Sequence, residues 1–198
     1  MFVYGASGHG RVLFEIVQAL GLKVEVFVDA NPDLQVVGNI PVVAEIPGNL
    51  TSGILAIGNN RTRKKLANQY STIFFSTLLH PKANVSPSAY LGSGTVVMAG
   101  ATINSSVQIG AHVIVNTNAS VDHDCVLEDF VHISPNVALS GGVKVGEGTH
   151  IGVGACVIHG IQIGKWSTIG AGAVIIKDVP DGATVVGNPG RIIKQIKR

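Results

Sequence analysis

A histidine stands between two aspartates at Asp122-His123-Asp124, in a chain where only 13% of the residues are charged. A carboxylate that accepts the Nδ1 proton of an imidazole fixes its tautomer, leaves Nε2 free to accept a proton and stabilises the imidazolium that forms. This pattern favours a general base at His123. A surface Asp-His-Asp turn without a chemical role is the alternative.

A second candidate for chemistry is the glycine-rich turn Gly5-Ala6-Ser7-Gly8-His9-Gly10. Backbone N–H groups in such a turn, followed by the N-terminus of a helix, favour a bound phosphate. The spacing departs from G-x-G-x-x-G, so an ordinary strand-to-helix turn is also compatible with it. Asp29 closes the next predicted strand and could accept a hydrogen bond from a ribose or a base.

A small parallel α/β unit would position these residues. Apolar runs predict strands at 2–4, 24–28, 54–57 and 72–75, and helices at 12–20 and 61–70, the second with a basic, amide-rich exposed face. The crevice at the carboxyl ends of the strands would contain the glycine turn, Asp29 and Gly58-Asn59-Asn60. About 75 residues supply one mononucleotide-binding half, which favours a nucleotide-linked small molecule over NAD.

A six-residue repeat organises the remainder of the chain. From Val85 to Ile175 every sixth residue is aliphatic, and the position four further on is small or aliphatic. Two inward positions per six residues fit neither an isolated strand nor a helix. The repeat predicts a coiled parallel β-solenoid with three hexads per triangular turn, so that residues eighteen apart form columns.

Five of the seven histidines lie in this repeat, which raises the alternative of a metal site. His123 and His159 share a column but lie two turns apart, about 9.6 Å at the usual strand spacing, whereas zinc ligands lie about 2 Å from the metal. His132 and His150 lie one turn apart without a third ligand. The columns therefore predict no metal within one chain and leave a site between chains open.

Neither cysteine is predicted to be a nucleophile. Cys125 occupies an inward position, which favours a small core residue, and Cys156 lies outside the inward positions without a neighbouring base. Two cysteines inside an already constrained repeat favour a reduced, cytoplasmic protein.

Composition excludes several other function classes. Fourteen Lys and Arg against twelve Asp and Glu leave no basic stripe for nucleic acid, and the short basic run 194–198 is expected to be a solvated chain end. No apolar stretch approaches the roughly 20 residues of a membrane span, and the chain starts in a predicted strand without a basic leader. A 46% hydrophobic fraction over 198 residues suffices for two domains, expected at 1–78 and 79–198.

Four motifs together resemble one protein family: Tyr4-Gly5-Ala6-Ser7-Gly8-His9-Gly10, Ala56-Ile57-Gly58-Asn59-Asn60, Asp122-His123-Asp124-Cys125 and Gly187-Asn188-Pro189. With the hexapeptide repeat, they are similar to bacterial sugar acyltransferases of the UDP-N-acetylbacillosamine N-acetyltransferase and sialic acid O-acetyltransferase family. The resemblance covers nearly the whole chain. It implies a small Rossmann-like α/β domain followed by a left-handed parallel β-helix, assembled as a homotrimer. Acetyl-CoA would bind between neighbouring solenoids, and a nucleotide sugar would bind on the N-terminal domain.

The resemblance also implies roles for individual residues. His123 would deprotonate the acceptor amine and Asp124 would raise its basicity, so that the amine attacks the thioester without a covalent enzyme intermediate. Gly141, one turn above His123, would donate a backbone N–H to the thioester oxygen. The remaining matched positions would contact acetyl-CoA at His132, Val153 and Ala171, and the acceptor at Ser7, Gly8, His9, Asp29, Gly58 and Asn59.

The leading hypothesis is acetyl-CoA-dependent N-acetylation of the 4-amino group of a UDP-linked amino-dideoxy sugar, in a surface-glycan or glycoprotein pathway. Two departures from the family pattern bear on it: Ala30 replaces a second acidic residue beside Asp29, and the acids flanking His123 are Asp instead of Glu. The alternatives are O-acetylation of a sialic acid or another sugar, a non-catalytic nucleotide-sugar-binding scaffold, and a zinc-dependent hydratase on the same solenoid.

Overall fold

The computed structural model describes residues 1–196, which form an α/β sheet domain packed against a triangular β-solenoid. Lys197 and Arg198, the end of the basic run, lie outside the described residues. Within residues 1–196, no helix has the length and apolar character that crossing a membrane requires.

The N-terminal part is a six-stranded sheet with the strand order β3-β4-β2-β1-β5-β6. Its elements are β1 Phe2–Tyr4, α1 Gly8–Ala19, β2 Val26–Val28, β3 Val36–Val37, β4 Ile40–Val43, β5 Ser52–Leu55, α2 Asn60–Gln69 and β6 Phe74–Phe75. Neighbouring side chains of β1 enter two different cores, because Val3 packs with the α1 side of the sheet and Phe2 with Leu66 of α2. Both faces of the central strand are therefore buried, and β1 is apolar throughout.

The hairpin of β3 and β4 is missing from the sequence-based prediction. Its turn is Gly38-Asn39, with Gly38 at φ 60°, and a Gly-Asn pair between apolar residues is typical of two-residue hairpin turns. Strand β3 has only two residues, so it carries no recognisable alternation of apolar and polar positions.

Three parallel sheets form the faces of the left-handed solenoid. Face 1 contains β7 Leu78–Leu79, β10 Val96–Val97, β13 Ile114–Val115, β16 His132–Ile133, β19 His150–Ile151, β22 Thr168–Ile169 and β24 Ala183–Val186. Face 2 contains β8 Asn84–Val85, β11 Thr102–Ile103, β14 Ser120–Val121, β17 Ala138–Leu139, β20 Cys156–Val157 and β23 Val174–Ile175. Face 3 contains β9 Tyr90–Leu91, β12 Gln108–Ile109, β15 Val126–Leu127, β18 Lys144–Val145 and β21 Gln162–Ile163.

The predicted columns are confirmed by the strand register. On face 1, Val96 pairs with Ile114 and Ile114 pairs with His132, so equivalent residues are eighteen apart. The aliphatic residue at every sixth position from Val97 to Ile175 is buried in one continuous core, and Cys125 is buried with it. Strand β25, Arg191–Gln195, pairs antiparallel with β24 after the Gly187-Asn188-Pro189 turn.

The N-terminal domain covers the lower part of face 1, where "lower" means towards the first turns of the solenoid. The outward side chains of Leu78, Val96 and Ile114 are buried in the core that contains residues of α1. One turn further up, the same column continues with His132 and then His150. The apolar part of the column therefore packs against the core of the N-terminal domain, and the polar part begins at His132.

Candidate active site

The segment Asp122-His123-Asp124 forms the corner loop between faces 2 and 3. Val121 and Cys125, on either side of the loop, are fully buried, so the loop is anchored at both ends. Asp124 has φ 59°, in the left-handed region that aspartate adopts more readily than most residues. Its carboxylate lies against the preceding side chain, with Asp124 Oδ2 2.8 Å from His123 Nδ1.

The contact with Asp124 fixes the chemistry of the imidazole. In the neutral imidazole the Nδ1–H donates a hydrogen bond to Asp124, so Nε2 carries the free lone pair. The hydrogen bond to Asp124, with the charge of Asp122 as a second cause, raises the pKa of His123 above its ordinary value. Since 58% of the His123 side chain is exposed, this base can be reached from outside the chain.

Gly141 lies directly above the imidazole, towards the C-terminal turns. A Cβ at this position would lie 2.6 Å from both Cε1 and Nε2 of His123, so only a glycine leaves room for the ring. The Gly141 N–H has no acceptor among the described residues. At the equivalent corner positions of Ala111 and Lys165, an aspartate carboxylate accepts this N–H. The open N–H beside Nε2 could therefore donate to the oxygen of a substrate.

The glycine turn joins β1 to α1 and is closely packed on one side. A Cβ at Gly10 would lie 2.0 Å from Gly5 O, and a Cβ at Gly5 would lie 2.6 Å from Ala56 O. The other side is open, because the N-cap residue Ser7 caps no backbone N–H with its hydroxyl and a Cβ at Gly8 would meet nothing within 4 Å. The helix N-terminus thus presents N–H groups to open space, which suits an anionic ligand.

Asp29 and Asn59 shape the crevice beside this turn. Asp29 Oδ2 accepts the Ala6 N–H at 2.9 Å and its Oδ1 accepts the Asn31 N–H at 3.0 Å. Asn59 is the N-cap of α2, with its Oδ1 accepting the Thr62 N–H at 2.9 Å. Both side chains already accept hydrogen bonds from the backbone, so they hold the loops that border the crevice in place.

Open space also lies above Gly58, where a Cβ would meet nothing within 4 Å. On its other side Gly58 contacts the solenoid, with Gly58 O 3.4 Å from His132 Nδ1. The His132 ring stacks on His150, with ring centroids 4.7 Å apart. The predicted acetyl-CoA residue His132 therefore lies beside the predicted acceptor loop.

The prediction that the helix at 61–70 exposes its basic, amide-rich residues is wrong for Arg63. Arg63 is only 1% exposed, and its guanidinium donates at 2.8 Å to the carbonyls of Ile57, His112 and Phe130 and to Asn60 Oδ1. A planar group with five N–H donors can satisfy several carbonyls where a loop meets the solenoid. Burial lowers the pKa of Arg63 to about 9.

Asn60 makes the second link between α2 and the solenoid. Its Nδ2 donates to Gly148 O at 3.0 Å and Thr149 O at 3.2 Å. The buried positions of α2 are Asn60, Arg63 and Leu66, three residues apart. This helical spacing is the only signal in the sequence for the contact, and it is hard to recognise because two of the three buried residues are polar.

Histidines along this contact are held in their neutral form. Burial is the main cause, and it lowers the pKa of His132 to about 3 and the pKa of His9 and His112 to about 4. The buried positive charge of Arg63 lowers all three pKa values further. At neutral pH these imidazoles therefore carry no charge, and His9 Nε2 and His112 Nδ1 are buried without a hydrogen-bond partner among the described residues.

One chain brings the predicted site residues together in two separate groups. His123, Asp124 and Gly141 lie at the corner between faces 2 and 3, which is the corner opposite face 1. The second group lies on the face 1 side: His132 on face 1, Val153 and Ala171 at the exposed corner between faces 1 and 2, and the N-terminal residues Ser7, Gly8, His9, Asp29, Gly58 and Asn59. The hollow beside His123 is lined by solenoid residues alone.

Two other features of the described chain add no candidate residues. No group of three or more His, Cys, Asp or Glu side chains among residues 1–196 is arranged to hold a metal ion. A hollow of about 580 Å³ on face 3 is larger than the one beside His123, but its charged residues have both signs: Glu128, Lys144, Lys165, Asp178 and Asp181. It contains none of the residues predicted from the sequence.

Two family models match the chain. The PglD N-terminal domain model matches residues 1–70, which include the glycine turn and the Gly58 loop. The bacterial transferase hexapeptide model, with six repeats, matches residues 142–177 in the upper turns of the solenoid.

Solved structures match almost the full length of the chain. A variant of perosamine N-acetyltransferase from Caulobacter crescentus, solved with CoA and GDP-perosamine, is 40% identical with a TM-score of 0.94, over 98% of this chain and 96% of that one. The acetyltransferase domain of PglB from Neisseria gonorrhoeae FA1090, solved with acetyl coenzyme A, is 42% identical with a TM-score of 0.91, over 97% and 98%.

A curated relative matches over a shorter stretch. UDP-N-acetylbacillosamine N-acetyltransferase of Bacillus subtilis (strain 168) is 42% identical over 112 residues, covering 49% of this chain. The match spans 50% of the length of that relative.

Proposed function

The chain belongs to the hexapeptide-repeat sugar N-acetyltransferases, and from this premise we propose that it transfers the acetyl group of acetyl-CoA to the 4-amino group of a nucleotide-linked amino-dideoxy sugar. UDP is the proposed nucleotide. It corresponds to the name of the Bacillus relative, whereas the Caulobacter relative was solved with a GDP sugar. Transfer to nitrogen is preferred over transfer to oxygen because these relatives are N-acetyltransferases.

The observation that carries this proposal is the set of groups around His123 Nε2. His123 accepts the proton of the attacking amine at Nε2 as the new C–N bond forms, and Asp124 stabilises the resulting imidazolium through Nδ1. The Gly141 N–H donates to the thioester oxygen as that oxygen gains negative charge. When the C–S bond breaks, CoA leaves as the thiolate and the imidazolium can return the proton to it.

The proposed assembly is a homotrimer in which each active site uses two chains. An acceptor held at the glycine turn and Gly58 is on the face 1 side of its own chain, whereas His123 is at the opposite corner. Rotation about a threefold axis can bring the His123 corner of one solenoid against face 1 of the next. Acetyl-CoA would then extend upwards from Gly141, along His132, Val153 and Ala171 of the neighbouring chain.

The substrate is tested by incubating the purified protein with acetyl-CoA and a set of acceptors. The set contains UDP- and GDP-linked 4-amino sugars and hydroxyl acceptors such as a sialic acid, with CoA release and product mass as readouts. We expect N-acetylation of the amino sugars, fastest with UDP. Replacing His123 by Asn should lower the rate about 10²- to 10⁴-fold, because Asn cannot act as the base. Turnover of hydroxyl acceptors alone would contradict the proposal.

The same assay separates the other function classes. A non-catalytic scaffold would bind a nucleotide sugar without releasing CoA. A zinc-dependent hydratase would contain stoichiometric zinc by elemental analysis and would not consume acetyl-CoA. If the GDP sugar were turned over faster, the preferred nucleotide would be GDP instead of UDP, and the proposed reaction would be unchanged.

A further inference from the structure

A polar hollow of about 400 Å³ lies directly below His123, on the side away from Gly141. It is lined by Asn84, Ser86, Ile103, Asn104, Ser105, Asp122 and His123. Six of these seven side chains carry hydrogen-bonding groups, which favours a polar ligand over an apolar one. The hollow borders the base, so a ligand that enters it lies next to the reacting atoms.

Asn104 and Asp122 form a fixed pair in this hollow. They occupy the same column one turn apart, and Asn104 Nδ2 donates to Asp122 Oδ1 at 2.7 Å. The same oxygen accepts the His123 N–H at 2.8 Å. Both hydrogen bonds hold the carboxylate in place, and no group within residues 1–196 donates to its other oxygen, Oδ2.

The charge of this carboxylate is also stabilised. The hydrogen bond from Asn104, followed by the one from the His123 N–H, lowers the pKa of Asp122 below its ordinary value. At neutral pH, Asp122 therefore offers an ionised, preoriented acceptor oxygen. Hydrogen bonds to ionised acceptors are shorter and stronger than those between neutral groups.

The two sides of His123 differ in what they can hold. Above the ring, Gly141 packs against the imidazole and presents an open N–H, which suits the thioester oxygen. Below the ring, the hollow has the volume and the polar lining that suit part of a sugar.

Building on the proposed function, we propose that the Asn104–Asp122 pair determines specificity for the acceptor sugar. Asp122 Oδ2 accepts a hydrogen bond from the ring hydroxyl on the carbon next to the reacting amine. Asn104 is the positioning residue that keeps the carboxylate in that orientation. The enzyme would then favour amino sugars with a free hydroxyl beside the amine over analogues that lack it.

The test compares two acceptors that differ only in this hydroxyl: the 4-amino nucleotide sugar accepted by the wild type and its analogue deoxygenated at the adjacent carbon. The variants are Asp122→Ala, Asn104→Ala and, as a control, Glu128→Ala, whose carboxylate lies outside the hollow. For each variant, kcat/KM is measured for both acceptors at a pH where the rate no longer rises, because Asp122 also affects the pKa of His123. The KM for acetyl-CoA is measured in parallel.

We expect the wild type and Glu128→Ala to prefer the hydroxylated acceptor about tenfold to hundredfold, the value of a hydrogen bond to a charged group. Asp122→Ala should abolish this preference by slowing only the hydroxylated acceptor, with KM for acetyl-CoA unchanged. Asn104→Ala should reduce it in part. A preference that persists in Asp122→Ala, or an equal loss for both acceptors, would overturn the inference. If the wild type used neither acceptor, the proposed function would fail first.

Discussion

The left-handed backbone at Asp124 determines how the imidazole of His123, the proposed general base, is oriented. It brings the Asp124 carboxylate to Nδ1 of His123, while Asp122 accepts the backbone N–H of His123. The two aspartates therefore have different tasks, one on the imidazole and one on the loop. The residue types alone predict a base at His123 but do not distinguish the two aspartates, because that difference depends on one backbone angle; the choice of Asp124 rests on the family resemblance.

Replacing Asp124 by Asn should change the pH dependence of the reaction. His123 must be neutral to act as a base, so kcat/KM rises as pH increases through its pKa, which Asp124 holds above the ordinary value. Loss of the carboxylate destabilises the imidazolium and lowers the pKa of His123, so the midpoint of this rise should move to lower pH. The rate at high pH should also fall about tenfold or more, because the imidazole becomes a weaker base.

The pH profile of kcat/KM for the acceptor checks this prediction. Asp124→Glu is the matched variant, because it keeps a carboxylate on a side chain one methylene longer. It should restore much of the activity and keep the midpoint above that of Asp124→Asn. Identical profiles for the wild type and Asp124→Asn would remove Asp124 from the mechanism.

Among the structural elements, the solenoid repeat can be predicted from the sequence, whereas the contact of α2 with the solenoid cannot. Each turn of the solenoid needs aliphatic residues at fixed inward positions, so the core from Val97 to Ile175 produces a regular six-residue pattern in the sequence. The contact of Arg63 with His112 and Phe130 joins residues far apart in the chain through backbone carbonyls. Carbonyls are common to all residues, so no residue type marks their position.

The buried histidines beside this contact should make the fold sensitive to acid. His9, His112 and His132 have pKa values in the folded state of about 4, about 4 and about 3, below the value near 6.5 expected in the unfolded chain. Between these limits the unfolded state binds more protons, so the free energy of unfolding should fall as pH falls below about 6.5. Each histidine should contribute up to about 1.4 kcal/mol per pH unit in this range.

Urea unfolding at fixed protein concentration, between about pH 7.5 and about pH 4.5, measures this effect. His112→Phe removes one of the three groups at a site between Phe75 and Phe130, so it should make the pH dependence shallower. His159→Gln, at an exposed position, is the matched control for the loss of one histidine side chain. A free energy of unfolding that stays constant over this range would contradict the assignment of these histidines as neutral in the folded state.

At the scale of the whole molecule, the separation of the two groups of site residues has the largest consequence. The repeat in the sequence predicts the columns, and from them the position of Gly141 above His123. The positions of His132 and the glycine turn relative to His123 depend on how the two domains pack, which no periodic pattern encodes. This separation supports the proposal that His123 of one chain acts on an acceptor held by the N-terminal domain of another.

Coexpression of two differently tagged inactive variants tests this claim most directly. His123→Asn removes the base, and Gly58→Phe fills the open space of the acceptor crevice, where a side chain would meet nothing within 4 Å. Each variant alone should be inactive. Mixed trimers purified by both tags should regain up to about one third of the wild-type activity, because a trimer of either mixed composition has one site in three that pairs an intact base with an intact crevice. Mixed trimers without acetyltransferase activity, isolated intact and folded, would contradict a site shared between chains.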